Sequence, residues 1–166
     1  FEAIQNDDPP CLELLDERWG ELCATPEVAS HWADRLMSLV RHVHADRRSG
    51  KFAFTRAESA CYSALFAAGR HDELIALIDS DPRPMWHDLL WVGRCKVASG
   101  EIDEAIEFMT KAVNAWTPMA GLARFAEGVL LQAGHRTDRV ALRIQTMLRP
   151  ATREVRWVGE ILNLPA

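Results

Sequence analysis

Residues 89–118 read LLWVGRCKVASGEIDEAIEFMTKAVNAWTP, and this stretch decides the fold. Leu89, Leu90, Val92 and Val97 recur at helical spacing, and Gly100 ends the run. Ile102, Ala105, Ile106, Met109, Ala112 and Val113 repeat the pattern until Thr117 and Pro118 close it. Glycine just after a helix supplies a left-handed turn that other side chains resist. The stretch therefore predicts two helices around a tight turn. One such pair leaves an apolar face exposed, so neighbouring pairs must stack to bury it.

The same punctuation continues in both directions. Gly69, Gly100 and Gly134 stand 31 and 34 residues apart, a period typical of stacked helix pairs. Upstream, Thr55-Arg56-Ala57-Glu58 has capping-box form and opens a helix rich in alanine (57, 60, 64, 67 and 68). A helix over about 71–80 carries Leu74, Ile75, Leu77 and Ile78 before Asp81 and Pro82, and Pro84 opens the next. Nearer the start, Asp7-Asp8-Pro9-Pro10 begins a helix over 10–23 with Leu12, Leu15, Trp19, Leu22 and Cys23. Thr25 and Pro26 begin another, with Val28, Trp32, Leu36, Leu39, Val40 and Val43 on its apolar face and an end near 47–50. Downstream, helices are expected at 119–133 and 137–148, and a short one follows Pro150. No segment alternates apolar and polar residues long enough for a strand. The expectation is an all-α domain of about 8–9 helices over 1–166: a pair at 10–50, three units at 55–148 and a capping helix at 150–164.

Composition narrows the function classes. At 166 residues and 48% hydrophobic, the chain can bury a core, and no apolar run approaches a membrane-spanning length. The four cysteines, at 11, 23, 61 and 95, form no C-x-x-C pair, which points to buried free thiols and a cytoplasmic location. A formal charge of −5 argues against nucleic acid as partner. That charge is unevenly spread. Residues 1–30 hold eight acids against Arg18, whereas residues 134–157 hold six arginines against Asp138 and Glu154. The first residue is Phe1, and the chain is expected to be part of a longer protein.

The quoted stretch resembles a tetratricopeptide repeat (TPR). Gly93 and Ala105 match the small residues where its helices cross, Gly100 its turn, Ala112 its second small position and Pro118 its terminal proline. Lys96 departs, since an aromatic is usual there. Residues 58–82, with Gly69-Arg-His-Asp-Glu-Leu, and 119–148, with Leu-Gln-Ala-Gly134, are more degenerate units. A weaker resemblance, through SALFAAGRHDELIALI, MWHDLLWVG and ARFAEGVLLQAGHR, is to uncharacterised bacterial proteins with a TPR-like region. The resemblance implies a right-handed solenoid of antiparallel helix pairs whose first helices line a concave groove. Carried over residue by residue, it places Arg56, Ser59, Ser63 and Phe66, then His87, Leu90, Arg94 and Val97, then Arg124, Gly128 and Leu131 along that groove. Arg56, Phe66, His87, Leu90, Arg94 and Arg124 are the candidate partner-binding residues.

Motifs for chemistry are weaker. His42-Val-His44-Ala-Asp46 has the form H-x-H-x-D of metallo-hydrolases, but at a helix end it brings His42 and Asp46 together and turns His44 away. Arg47 stands where a further histidine would complete that motif. His71-Asp72 and His87-Asp88 read as helix-start residues rather than a phosphohydrolase site. Neither a catalytic residue nor a metal or other cofactor is expected. Among the tryptophans, Trp19 and Trp32 read as core, while Trp86, Trp91 and Trp116 cannot all face one helix seam, so at least one is a candidate partner anchor. The expected function is a non-catalytic interaction module for an acidic or amphipathic protein or peptide segment, with homo-oligomerisation open. The alternative is a helical regulatory or sensor segment of a larger bacterial enzyme or transcription factor.

Overall fold

The computed structural model describes residues 13–113, 117–134 and Ile144. Among them the chain is helical, without a strand. Eight helices are described: α1 (Glu13–Glu17), α2 (Trp19–Leu22), α3 (Pro26–Arg48), α4 (Ala57–Ala67), α5 (His71–Asp79), α6 (Trp86–Ala98), α7 (Ile102–Lys111) and α8 (Met119–Gln132). None is long and apolar enough to cross a membrane. Of the helices expected after Gly134 only Ile144 is described, and it is helical; the rest lies outside the described residues, as do Cys11 and Trp116.

The expected punctuation is where the chain turns. Thr25 Oγ1 accepts the Val28 N–H at 3.3 Å and Pro26 occupies the first turn of α3. Gly69, Gly100 and Gly134 adopt φ of +71°, +82° and +77°, the left-handed region where a Cβ is costly. The helix expected at 10–23 is instead broken at Arg18, with Gly20 in α2. The Gly20 N–H donates to Ser63 Oγ of α4 at 2.9 Å, so its backbone serves a tertiary bond rather than a continuous helix.

The chain divides into two compact units, Phe1–Cys95 and Lys96–Ala166. In the first, α4 is the hub, packed against α1, α2, α3 and α5. Its alanines explain how: Ala57, Ala60 and Ala64 are fully buried and let neighbouring helices approach closely. Opposite them α3 presents Ala29, Ala33, Leu36, Met37, Val40 and Val43. The buried stripe is rotated from the expected one, because small Ala29 and Ala33 fit against α4 and leave Val28 and Leu39 exposed. Leu74, Leu77 and Ile78 of α5 and Trp91, Val92 and Cys95 of α6 complete this core. In the second unit α7 packs on α8 through Ala105, Ile106, Met109, Leu122, Ala126, Val129 and Leu130.

Candidate functional site

Three places in the first unit concentrate chemistry: a buried ionic network, an aromatic cleft and an exposed apolar patch. The network begins on α3, where one turn separates His44 from the Val40 above it. Helical spacing carries the buried stripe of α3 onto His44, whose side chain is fully enclosed. His42 and Asp46 point elsewhere, with Nε2 and Oδ2 3.7 Å apart at the surface. Both ring nitrogens of His44 face polar partners: Nδ1 lies 2.9 Å from Ser80 Oγ, and Nε2 lies 3.1 Å from Glu58 Oε1 and 3.3 Å from Tyr62 Oη. Ser80 Oγ itself donates to Leu77 O, so it accepts from the imidazole.

Arg47 completes the network. It donates from Nη1 and Nη2 to the two oxygens of Glu58 at 2.7 Å each, from Nε to Ala53 O at 2.9 Å, and from Nη1 to Asp81 Oδ2. Burial works against its charge, yet the bonds to Glu58 and Asp81 hold its pKa above the ordinary value. Asp88, at the start of α6, is a third buried carboxyl beside this pair. Burial pushes its pKa up, against the pull of His87, and the Glu58 and Asp81 charges add to the rise. Tyr62, enclosed beside the same carboxylates, is pushed up by burial in the same way.

His44, Glu58 and Asp81 bring ligand-type atoms within 4.8 Å of one another. The Arg47 guanidinium bridges both of those carboxylates, so a cation already sits where a metal would bind. The arrangement is a structural ion network, with its acceptors satisfied from within. The sequence motifs name four of its members, His44, Arg47, Glu58 and Asp88, for other reasons. Glu58 stands in a capping-box position, but its carboxylate is spent on Arg47 and His44, while Thr55 Oγ1 accepts from Ala57 N at 3.2 Å. Arg47, the residue that interrupts the metal motif, is the centre of the network. The available signal was that His44 extends an apolar stripe, which leaves an enclosed imidazole in need of partners.

The groove residues inferred from the repeat resemblance separate. Phe66 and Arg94 share one cleft of about 540 Å³, with Glu17, Arg18, Glu21, Ser63, Ala67 and Trp91. The Phe66 and Trp91 rings lie 5.6 Å apart, His71 stacks on Phe66 at 5.1 Å, and the Arg94 guanidinium lies 4.4 Å over Trp91. Among the described residues no carboxylate pairs with Arg94. On the facing wall Arg18 holds Glu21, at 2.8 Å from Nε and 2.5 Å from Nη2. Leu90 is half-buried, and Arg56 precedes α4, where its charge acts on Asp16. Arg124 belongs to the second unit and is exposed, donating from Nε to Ala120 O at 3.2 Å.

His87 lines a different pocket, of about 340 Å³, with Phe52, Phe54, Met85, Arg83 and the outer edge of the network at Arg47, Glu58 and Asp88. Phe52 is 98% exposed, Phe54 69% and Met85 59%, an apolar patch that helical spacing does not mark because these residues lie between helices. The described cysteines are inert by contrast. Cys23, Cys61 and Cys95 are buried and free, and burial pushes the Cys61 thiol up to about 12 and that of Cys95 to about 11. Comparison with family models, curated proteins and solved structures yields no match to this chain.

Proposed function

We propose that the chain is a non-catalytic protein-interaction module, a TPR-like right-handed solenoid of helix pairs, that binds an acidic or amphipathic segment of a protein partner in the cytoplasm. One observation carries the reading: the Arg94 guanidinium lies over the Trp91 ring, with no carboxylate partner among the described residues, beside an aromatic floor shared with Phe66. Stacking holds the planar guanidinium while leaving its N–H edge available for two parallel bonds to a carboxylate. The rings beneath it accept the apolar side chain next to that acid, in the manner of an anchor residue. Glu17 on the opposite wall, where Arg18 already holds Glu21, repels a second acid and so orients the segment. The free buried thiols suit a reducing compartment.

The test is selection from a displayed peptide library, followed by titration of the enriched peptides. Enriched sequences should carry Asp or Glu beside an apolar residue. Arg94→Ala should weaken them by about 1.5–3 kcal/mol, the worth of a charged hydrogen bond, with a larger loss at low salt than at high. Peptides that bind Arg94→Ala and Phe66→Ala variants as well as the parent chain would refute the reading.

A further inference from the structure

We propose that residues 51–55 form a self-pairing edge through which two copies of the chain associate about a two-fold axis. The segment Lys-Phe-Ala-Phe-Thr runs between α3 and α4 without helix, turn or bend. From Phe52 to Thr55 its burial alternates, with Phe52 and Phe54 exposed, Ala53 intermediate and Thr55 buried, the period of an extended chain; Lys51, ahead of them, is exposed. Arg47 Nε holds the Ala53 carbonyl against the body of the protein. In an extended chain successive residues aim their backbone groups at opposite edges, so the N–H and C=O of Phe52 and Phe54 face outward. Among the described residues, neither N–H donates to a partner. An uncovered edge of this kind is a template for another strand.

The occupant follows from symmetry. Phe-Ala-Phe reads the same in both directions, so an antiparallel second copy centred on Ala53 sets Phe52 opposite Phe54 of the second copy, twice over. In that register both Phe pairs are of the hydrogen-bonded kind and exchange four N–H···O bonds, while the two Ala53 residues form the open pair between them. Lys51 then lies opposite Thr55 rather than a like charge, and its own ammonium is already held by Asp46 at 2.8 Å. A two-fold contact needs such a self-complementary patch. The area is of the right order: fully covered, four phenyl rings bury at most on the order of 600–1000 Å², nearer the lower figure because Phe54 is 69% exposed before association. Met85, 59% exposed in the same pocket, adds to that area from each copy. The sum approaches the roughly 1,000 Å² that a specific interface requires.

The experiment is sedimentation equilibrium of the 166-residue chain over a concentration series, with amide hydrogen exchange on the same samples. The expected result is a monomer–dimer equilibrium in which the Phe52 and Phe54 amides become protected as concentration rises and the Ala53 amide does not change. Phe52→Ser with Phe54→Ser should be monomeric throughout, with an unaltered helical circular dichroism spectrum. Phe52→Ser alone, at the more exposed position, should weaken association at least tenfold. A chain that stays monomeric at every concentration overturns the proposal. So does a dimer that survives the double substitution, or one that forms without protecting those two amides.

Discussion

The two units build their interiors from different chemistry. In the first, His44, Glu58, Asp81 and Asp88 are buried together with Tyr62 and much of Arg47, and Asp16, Thr55 and Ser63 are buried elsewhere in the same unit. In the second, the buried side chains are aliphatic apart from Met109 and Thr117, among the described residues. An aliphatic interior is non-directional and tolerates exchange at constant volume. An ionic interior depends on each member, because a carboxylate deprived of its partner stays buried and charged. The first unit is accordingly the more fragile to single polar changes, and the patch and pocket at its surface rest on that network.

The largest effect should come from breaking the network at its centre. Arg47→Met keeps most of the stem's packing but leaves Glu58 and Asp81 facing one another without a cation. A loss of about 3–5 kcal/mol is expected, as for removal of one partner from a buried pair. Chemical denaturation followed by circular dichroism reads it out. A loss below about 1 kcal/mol, the worth of a surface ion pair, would mean that water reaches these groups and that the contrast between the units is false. Met109→Leu in the second unit is the matched control and should cost less than about 1.5 kcal/mol.

Next in size is the crossing of α2 and α4. A Cβ on Gly20 would lie 2.2 Å from Ser63 O and 2.7 Å from the Ala67 Cβ, so even alanine forces the helices apart. Gly20→Ala should destabilise by about 1–3 kcal/mol through overpacking. Because Ser63 and Ala67 also line the aromatic cleft, the same substitution should weaken peptide capture. An unchanged melting temperature would show that α2 does not dock as described.

These effects show what the sequence could and could not reveal. Helices and their ends were legible because caps, prolines and turn glycines act locally: Thr25 with Pro26, and Gly69, Gly100 and Gly134, each do their work within a turn. The alanines of α4 announced a close-packed helix but not its neighbours, so the crossing glycine of the first unit, Gly20, went unread. The network was illegible for a similar reason. Its members come from α3, α4, the end of α5 and the start of α6, and each has an ordinary local explanation as a cap or a helix-end charge. Only the packing of those helices shows that the charges meet. Likewise Phe66 and Arg94 converge on one cleft while His87 turns to another, a separation set by side-chain direction rather than by repeat frame.

A smaller, pH-dependent effect should come from Asp88. Its pKa in the folded chain is raised, by burial first and by Glu58 and Asp81 after that. The folded state therefore holds the Asp88 proton more tightly than the unfolded state, and stability falls as pH rises from the ordinary carboxylate range through the raised value. Asp88→Asn removes that slope. The amide oxygen can still accept the Met85 N–H, which Asp88 Oδ2 accepts at 2.7 Å. The variant should be more stable than the parent at neutral pH and lose the advantage in acid, as thermal melts across the pH range would show. A variant less stable at neutral pH would mean that the carboxylate charge is favourable in place.

The smallest effect has the opposite sign and uses the same chemical change as at Gly20. Gly128 lies within α8 on its exposed side, and a Cβ there meets nothing within 4 Å. Glycine inside a helix forfeits backbone entropy on folding, so Gly128→Ala should stabilise by about 0.5–1 kcal/mol. One substitution type thus separates a glycine kept for packing from one that packing does not require. Thermal melts of the Gly128→Ala variant read out the gain, and a lowered melting temperature would show that this face of α8 is packed rather than exposed.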